Sequence, residues 1–348
     1  MFELIDKKQK PVVYWLIIGI VMIIIQIMLG AITRLTGSGL SITEWKLIMG
    51  TLPPLNETEW QTAFEQYQKI GQFKQLNNYF NLSDFKFIFF WEWSHRFWAR
   101  MIGFVFAIPF VIFLIQKRFN KNQILPLIIL FFLGGLQGAI GWIMVKSGIN
   151  ETSLYVDHIK LAAHFISALV LLVYTIYFLI GFIKTKYEIS LSVNQNKVLL
   201  VMIILLTIQL VYGAFMAGIH AGPTAPTWPT INGNWFPYGG EELGLLKWTH
   251  NAINIQFVHR TLAYILCAFS IYWWVLANKE KLSLNWAQHL PLAIIILQTI
   301  LGIITVLMSP YQKILLVLGT MHQFVGMVFC IILMSIWFLR KVKYQINK

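Results

Sequence analysis

The sequence predicts an all-α membrane protein, with eight transmembrane helices arranged as two pseudo-symmetric four-helix bundles. Three observations predict this. The 348 residues are 57% hydrophobic and only 12% charged, with mean hydropathy +0.66, whereas a soluble domain carries about 25% charged residues. Apolar runs near the roughly 20 residues needed to cross a bilayer as helix recur eight times. A glutamine followed four residues later by glycine also recurs, in every odd-numbered run.

The eight runs cover residues 12–32, 97–116, 124–145, 161–183, 198–217, 255–277, 290–308 and 314–339. Two long segments, 34–90 and 218–254, separate the first and second and the fifth and sixth. Within the earlier one, Asn56 with Glu59 forms a capping-box pattern ahead of an amphipathic stretch over 60–70. The later one, rich in Pro, Gly and Trp, reads as ordered loop. Residues 1–186 and 187–348 form the two halves.

The net charge of +13 is a topology signal, not a nucleic-acid footprint. With alternating spans, 15 of the 27 lysines and arginines gather on one side, in short turns and tails around Lys7, Lys117, Lys184, Lys279 and Arg340. Both termini are therefore expected in the cytoplasm. The first span serves as its own insertion signal, and neither a cleavable signal peptide nor an Arg-rich transit peptide precedes it. A bacterial plasma membrane is expected first, a mitochondrial inner membrane second. The only two cysteines, Cys267 and Cys330, fall inside spans, where no disulfide framework or loop metal site is built.

The repeated pairs are Gln26 and Gly30, Gln137 and Gly141, Gln209 and Gly213, and Gln298 and Gly302. One-turn spacing puts both members on one face. Glycine there admits a close backbone or a flat ligand, and glutamine supplies a hydrogen bond inside the bundle; ordinary helix packing explains the pattern as well. Even-numbered runs carry one histidine each near their outer ends: His95, His164, His259 and His322. Imidazole ligates heme iron, and facing helices of a bundle are a usual cofactor site. The repeat pairs His95 with His164 and His259 with His322 across one porphyrin each. The remaining histidines, His158, His220, His250 and His289, read as solvated or structural.

Arg96, Arg100 and Arg260 are read as the charged residues inside the membrane spans and need anions. Heme propionates answer that need through paired hydrogen bonds; snorkelling to the interface is the plainer account. Glu92 stands one turn before His95, whereas Gln256 stands one turn before His259. The acid present in only one half is a candidate catalytic proton donor or acceptor, or simply orients His95.

These motifs resemble the heme A synthase family over nearly the whole chain. The resemblance is carried by Gly30-Ala-Ile-Thr-Arg-Leu-Thr, Ser41-Ile-Thr-Glu-Trp-Lys, Phe87-Ile-Phe-Phe-Trp-Glu-Trp-Ser-His-Arg, Leu161-Ala-Ala-His and Phe257-Val-His-Arg. Gly213-Ala-Phe-Met-Ala-Gly, Thr227-Trp-Pro and Met321-His-Gln complete it. The first long segment holds no cysteine pair, so the chain resembles the cysteine-free branch shared by proteobacterial and mitochondrial members. His220 stands where many relatives have an acidic residue.

The resemblance implies oxidation of the C8 methyl of heme O to a formyl group, giving heme A for cytochrome oxidase. It implies that His95 and His164 bracket the substrate heme, that Glu92 is essential there, and that His259 and His322 hold a heme b cofactor. Oxidising an unactivated methyl requires a metal-bound oxidant, hence O2 and an external electron donor. Heme O synthase is the implied source of substrate. Small-xxx-small faces suit intramolecular packing or a homo-oligomer equally. A diheme cytochrome b taking electrons from a quinol would use the same four histidines without Glu92, and a heme carrier would bind without catalysis.

Overall fold

The computed structural model describes residues 7–44, 51–182, 188–280 and 285–343. Trp45 and Lys46 of the Ser41 motif, and the loop and tail lysines Lys184, Lys186, Lys281 and Lys348, lie outside them.

Among the described residues, eight helices are long and apolar enough to cross a membrane. They are α1 (Lys10–Leu35), α4 (Leu82–Ile115), α5 (Lys121–Lys146), α6 (His158–Ile180), α7 (Val193–Gly218), α9 (Ala252–Glu280), α10 (Asn285–Leu307) and α11 (Gln312–Leu339). Between α1 and α4 lie the short helices α2 (Glu57–Tyr67) and α3 (Gly71–Gln75); α8 (Lys247–His250) leads into α9. The described residues cluster into two units, Tyr14–Leu172 and a second comprising Val173–Lys348 with Met1–Val13. In the second, α7 packs on α9, α9 on α10, α10 on α11 and α11 on α7, a closed ring of four helices. A parallel ribbon of β1 (Ile189–Ser192) and β2 (Arg340–Lys343) ties the segment before α7 to the end of α11.

Helix α4 departs from the sequence reading. It begins at Leu82, so residues assigned to the first long segment are helical, and His95 lies well inside the helix instead of at its entrance. The start is set by Asn81, whose side chain accepts from Ser83 N and Asp84 N while Asp84 accepts from Asn81 N. The extra turns bury Phe85, Ile88 and Phe89 in a cluster with Leu40, Phe64, Tyr67 and Ile70, which seats α2 beside α4. Phe85 and Tyr67 stack with ring centres 5.4 Å apart. The Tyr67 hydroxyl donates to Gln72 Oε1 at 3.0 Å and accepts from Asn77 Nδ2 at 2.7 Å. Burial pushes its ionisation up to about 12.

Helix α2 starts where Asn56 predicts: Asn56 Oδ1 accepts from Glu59 N at 2.9 Å. Glu59 reaches back one residue further than a capping box requires, accepting from Leu55 N at 2.8 Å. The segment after α7 is ordered by the 3-10 turns Gly222–Thr224 and Glu241–Leu246 and a cis Trp228–Pro229 bond. His220 occupies a left-handed backbone position, φ +54°, directly after α7, and His289 lies within α10, accepting from Trp274 Nε1 at 3.1 Å. Cys267 and Cys330 are free thiols within α9 and α11.

Candidate functional site

The four Gln–Gly pairs and the four histidines meet one to one. On α1, Gln26 Nε2 lies 3.2 Å from both ring nitrogens of His95 on α4, and a Cβ built on Gly30 would stand 3.2 Å from His95 Cε1. On α5, Gln137 Nε2 donates to His164 Nδ1 at 3.1 Å, and a Cβ on Gly141 would come within 2.7 Å of His164 Cε1. Gln209 on α7 meets His259 on α9 at 3.4 Å, with Gly213 beneath the ring at 3.3 Å by the same measure. Gln298 on α10 meets His322 on α11 at 3.3 Å, and Gly302 at 3.0 Å. Real Cβ atoms essentially never come under 3.0 Å, so at Gly141 only glycine admits the imidazole, with the spacing at Gly302 at that limit. The helical period explains the motif: residues four apart share a face, so the amide and the gap stack one turn apart and seat one imidazole.

The rings are aimed for a further partner. His259 and His322 lie with ring centres 6.3 Å apart and planes at 71°. Two imidazoles bonded to one metal at about 2 Å have ring centres about 6 Å apart. The Nδ1 atoms of His259 and His322 are buried without a hydrogen-bond partner, as are the amide oxygens of Gln26, Gln209 and Gln298. Buried polar atoms are almost always satisfied, and an iron-bound imidazole carries an N–H for a neighbouring acceptor. The donor set therefore fits a bis-histidine heme in this unit. In the other unit, His95 stands on α4 and His164 on α6.

Glu92 is 2% exposed and takes hydrogen bonds from three directions: Ser41 Oγ at 2.7 Å, Ile42 N at 2.8 Å and Arg96 Nη2 at 2.5 Å. Arg96 also donates to Ile42 O at 3.0 Å. Gln256 does the equivalent work in the other half, donating to Ala221 O and Gly222 O and accepting from Arg260 Nη2 at 2.5 Å. Arg260 continues to Ala225 O and Thr230 O. Each pair pins the segment that follows the first helix of its half. The acid–amide difference matches what that segment offers: donors at Ser41 and Ile42, acceptors at Ala221 and Gly222. The anion beside Arg96 is thus Glu92, and the side chain beside Arg260 is neutral. Arg100 lies one turn beyond Arg96 on α4. Cavities of about 290 and 340 Å³ open against Arg96 with Lys146 and Trp142, and against Arg260 with Trp228 and Tyr264.

Two features escaped the sequence reading. Ser41 donates its hydroxyl to Glu92 Oε2, a long-range contact that no local pattern signals. Ser167, three residues after His164 and so on its face, donates to Gln137 Oε1 at 2.5 Å.

A multi-pass helical membrane protein with four imidazoles, each seated on a Gln–Gly turn of a neighbouring helix, is the class that the fold and the site define. Comparison with known proteins narrows the class. The model of the cytochrome oxidase assembly protein family COX15-CtaA matches residues 13–334, and the chain belongs to that family. A heme A synthase of Flavobacterium psychrophilum is 38% identical over 327 residues, covering 91% of this chain and 94% of that protein. Heme A synthases of Flavobacterium johnsoniae and Brucella suis are each 36% identical, covering 91% and 97% of this chain and 94% of each relative.

Proposed function

We propose that the chain acts as a heme A synthase, oxidising the C8 methyl of heme O to a formyl group by two successive hydroxylations. The observation that carries this is the fourfold Gln–Gly–His seat, which presents four imidazoles in one chain. In this reading residues 1–186 take the substrate heme between His95 and His164, and residues 187–348 hold a heme b between His259 and His322. A heme b held there would supply one-electron redox chemistry, and the oxidation would draw on O2 and an external electron donor.

The protein side chains supply orientation and proton handling. Glu92 Oε2 faces the Ser41 hydroxyl, the neighbour through which a proton can be exchanged one turn from His95. Its Oε1 faces Arg96, which keeps the carboxylate and the 41–42 backbone fixed against α4. Arg96, Arg100 and Arg260 are the proposed propionate partners, supported for Arg96 and Arg260 by the cavities that open against them. The chain sits in a bacterial plasma membrane with both termini cytoplasmic, supported by the lysine and arginine bias. It receives heme O from heme O synthase.

A second reading, a diheme cytochrome b, is favoured by one observation: Glu92 and Gln256 perform the same anchoring task, so the acid has a structural reason to exist. One experiment separates the two. The membrane-expressed protein is supplied with heme O, O2 and a reductant, and its hemes are extracted and resolved by chromatography with mass detection. Synthase activity yields a product that has gained one oxygen and lost two hydrogens. Unchanged heme O beside stable heme b overturns it.

A further inference from the structure

The four imidazole seats are not equivalent, and the difference falls on His164. Gln137 Nε2 lies 3.0 Å from the backbone carbonyl of His164, which can only accept, so that amide atom has to be the nitrogen. Ser167 Oγ lies 2.5 Å from Gln137 Oε1 and 3.0 Å from the same carbonyl, and its one proton goes to the amide oxygen while the amide nitrogen donates to the carbonyl; turned over, the amide would set its oxygen against that carbonyl oxygen. The amide therefore cannot turn over, and its N–H group faces His164 Nδ1 at 3.1 Å. A neutral imidazole has one N–H and one lone pair. With Nδ1 accepting, the proton sits on Nε2, and the ring offers iron an N–H where a ligand needs a lone pair. Moving the proton to Nδ1 frees Nε2, but it sets two N–H groups against each other and forfeits the hydrogen bond.

The other seats carry no such lock. The amide oxygens of Gln26, Gln209 and Gln298 are buried without a partner, so a half-turn of each amide lets its oxygen accept an imidazole N–H. Such an acceptor strengthens a metal-bound histidine.

We propose that His164 is the exchangeable ligand of the first-half heme, the one that yields its position to a small diatomic molecule, with Gln137 and Ser167 as the positioning residues that keep it weak. His95 is then the permanent ligand. This rests on the reading under Proposed function and answers how two histidines on one iron leave room for O2.

The test uses the purified full chain loaded with heme, reduced, and titrated with carbon monoxide, with electron paramagnetic resonance of the oxidised form. Wild type should bind carbon monoxide at one heme per chain, and the low-spin signal of the His259–His322 heme should persist in every variant as the control for folding. His164→Ala should keep the first-half heme, now high-spin and open to carbon monoxide, while His95→Ala should lose it. Gln137→Glu, which offers Nδ1–H an acceptor, should weaken carbon monoxide binding about tenfold or more. Retention in His95→Ala with loss in His164→Ala, equal loss in both, or unchanged carbon monoxide affinity in Gln137→Glu overturns the assignment. A wild-type chain with a single heme sinks the parent reading instead.

Discussion

Gly141→Ala isolates the closest approach in the molecule's imidazole seats. The added Cβ would stand 2.7 Å from His164 Cε1, 3.2 Å from Nδ1 and 3.5 Å from Nε2. Carbon atoms at rest lie about 3.5–4.0 Å apart, so the ring or the helix must retreat by roughly 1 Å. Overpacking of this kind costs about 1–3 kcal/mol, which weakens the hold of His164 on the first-half heme and shifts that heme towards its high-spin, open form about 5- to 150-fold. Alanine's better helix propensity offsets up to about 1 kcal/mol of the fold's loss but does nothing for the ring. Gly138→Ala on the same helix is the control, since nothing lies within 4 Å of its Cβ; it should be neutral or slightly stabilising. The low-spin absorption and the carbon monoxide affinity of each variant are the assay, with heme per chain, counted after extraction, expected to hold. The same substitution at Gly302, Gly30 and Gly213, where the approach is 3.0, 3.2 and 3.3 Å, should do progressively less. A Gly141→Ala protein with a wild-type spectrum and carbon monoxide affinity would refute the reasoning, because the seat would then not need its glycine.

Other residues give sharper chemical outcomes. Glu92→Gln sets an amide against Arg96 and the Ser41–Ile42 donors and should cost about 1.5–3 kcal/mol, read as a lower thermal midpoint. It should retain heme but lose conversion of heme O, and wild-type turnover would remove Glu92 from the mechanism. Gln256→Glu should destabilise the other half comparably, because its carboxylate would face the carbonyls of Ala221 and Gly222. Tyr67→Phe strands Gln72 Oε1 and Asn77 Nδ2 in a buried cluster, costing about 1–3 kcal/mol in a denaturation series. Since burial raises the Tyr67 ionisation to about 12 from 10.0, its contribution should be complete below pH 10 and fade as pH climbs through 12; ultraviolet difference titration against Tyr67→Phe reads it.

The spans, the four histidines and the Gln–Gly spacing were all written in the sequence because helical period and apolar length are local signals. The start of α4 was misplaced for a physical reason. An apolar-run reading breaks at Glu92, His95 and Arg96, but those side chains are satisfied by the 41–44 segment and by the Gln26–Gly30 seat, which no local pattern reveals. The true start was legible in Asn81 and Asp84, a capping pair that hydropathy ignores. The partner of each Gln–Gly turn could not be read, since it lies on another helix. The acid–amide contrast between Glu92 and Gln256 was visible, whereas the donors and acceptors that match it come from backbone atoms. Ser167 acts through tertiary contacts alone.

Removing both imidazoles of the second pair tests the heme-holding scaffold most directly. In a purified chain given ample heme, His259→Ala together with His322→Ala should abolish one low-spin heme per chain and leave the heme bound by His95. A visible spectrum unchanged from the wild type would contradict the account.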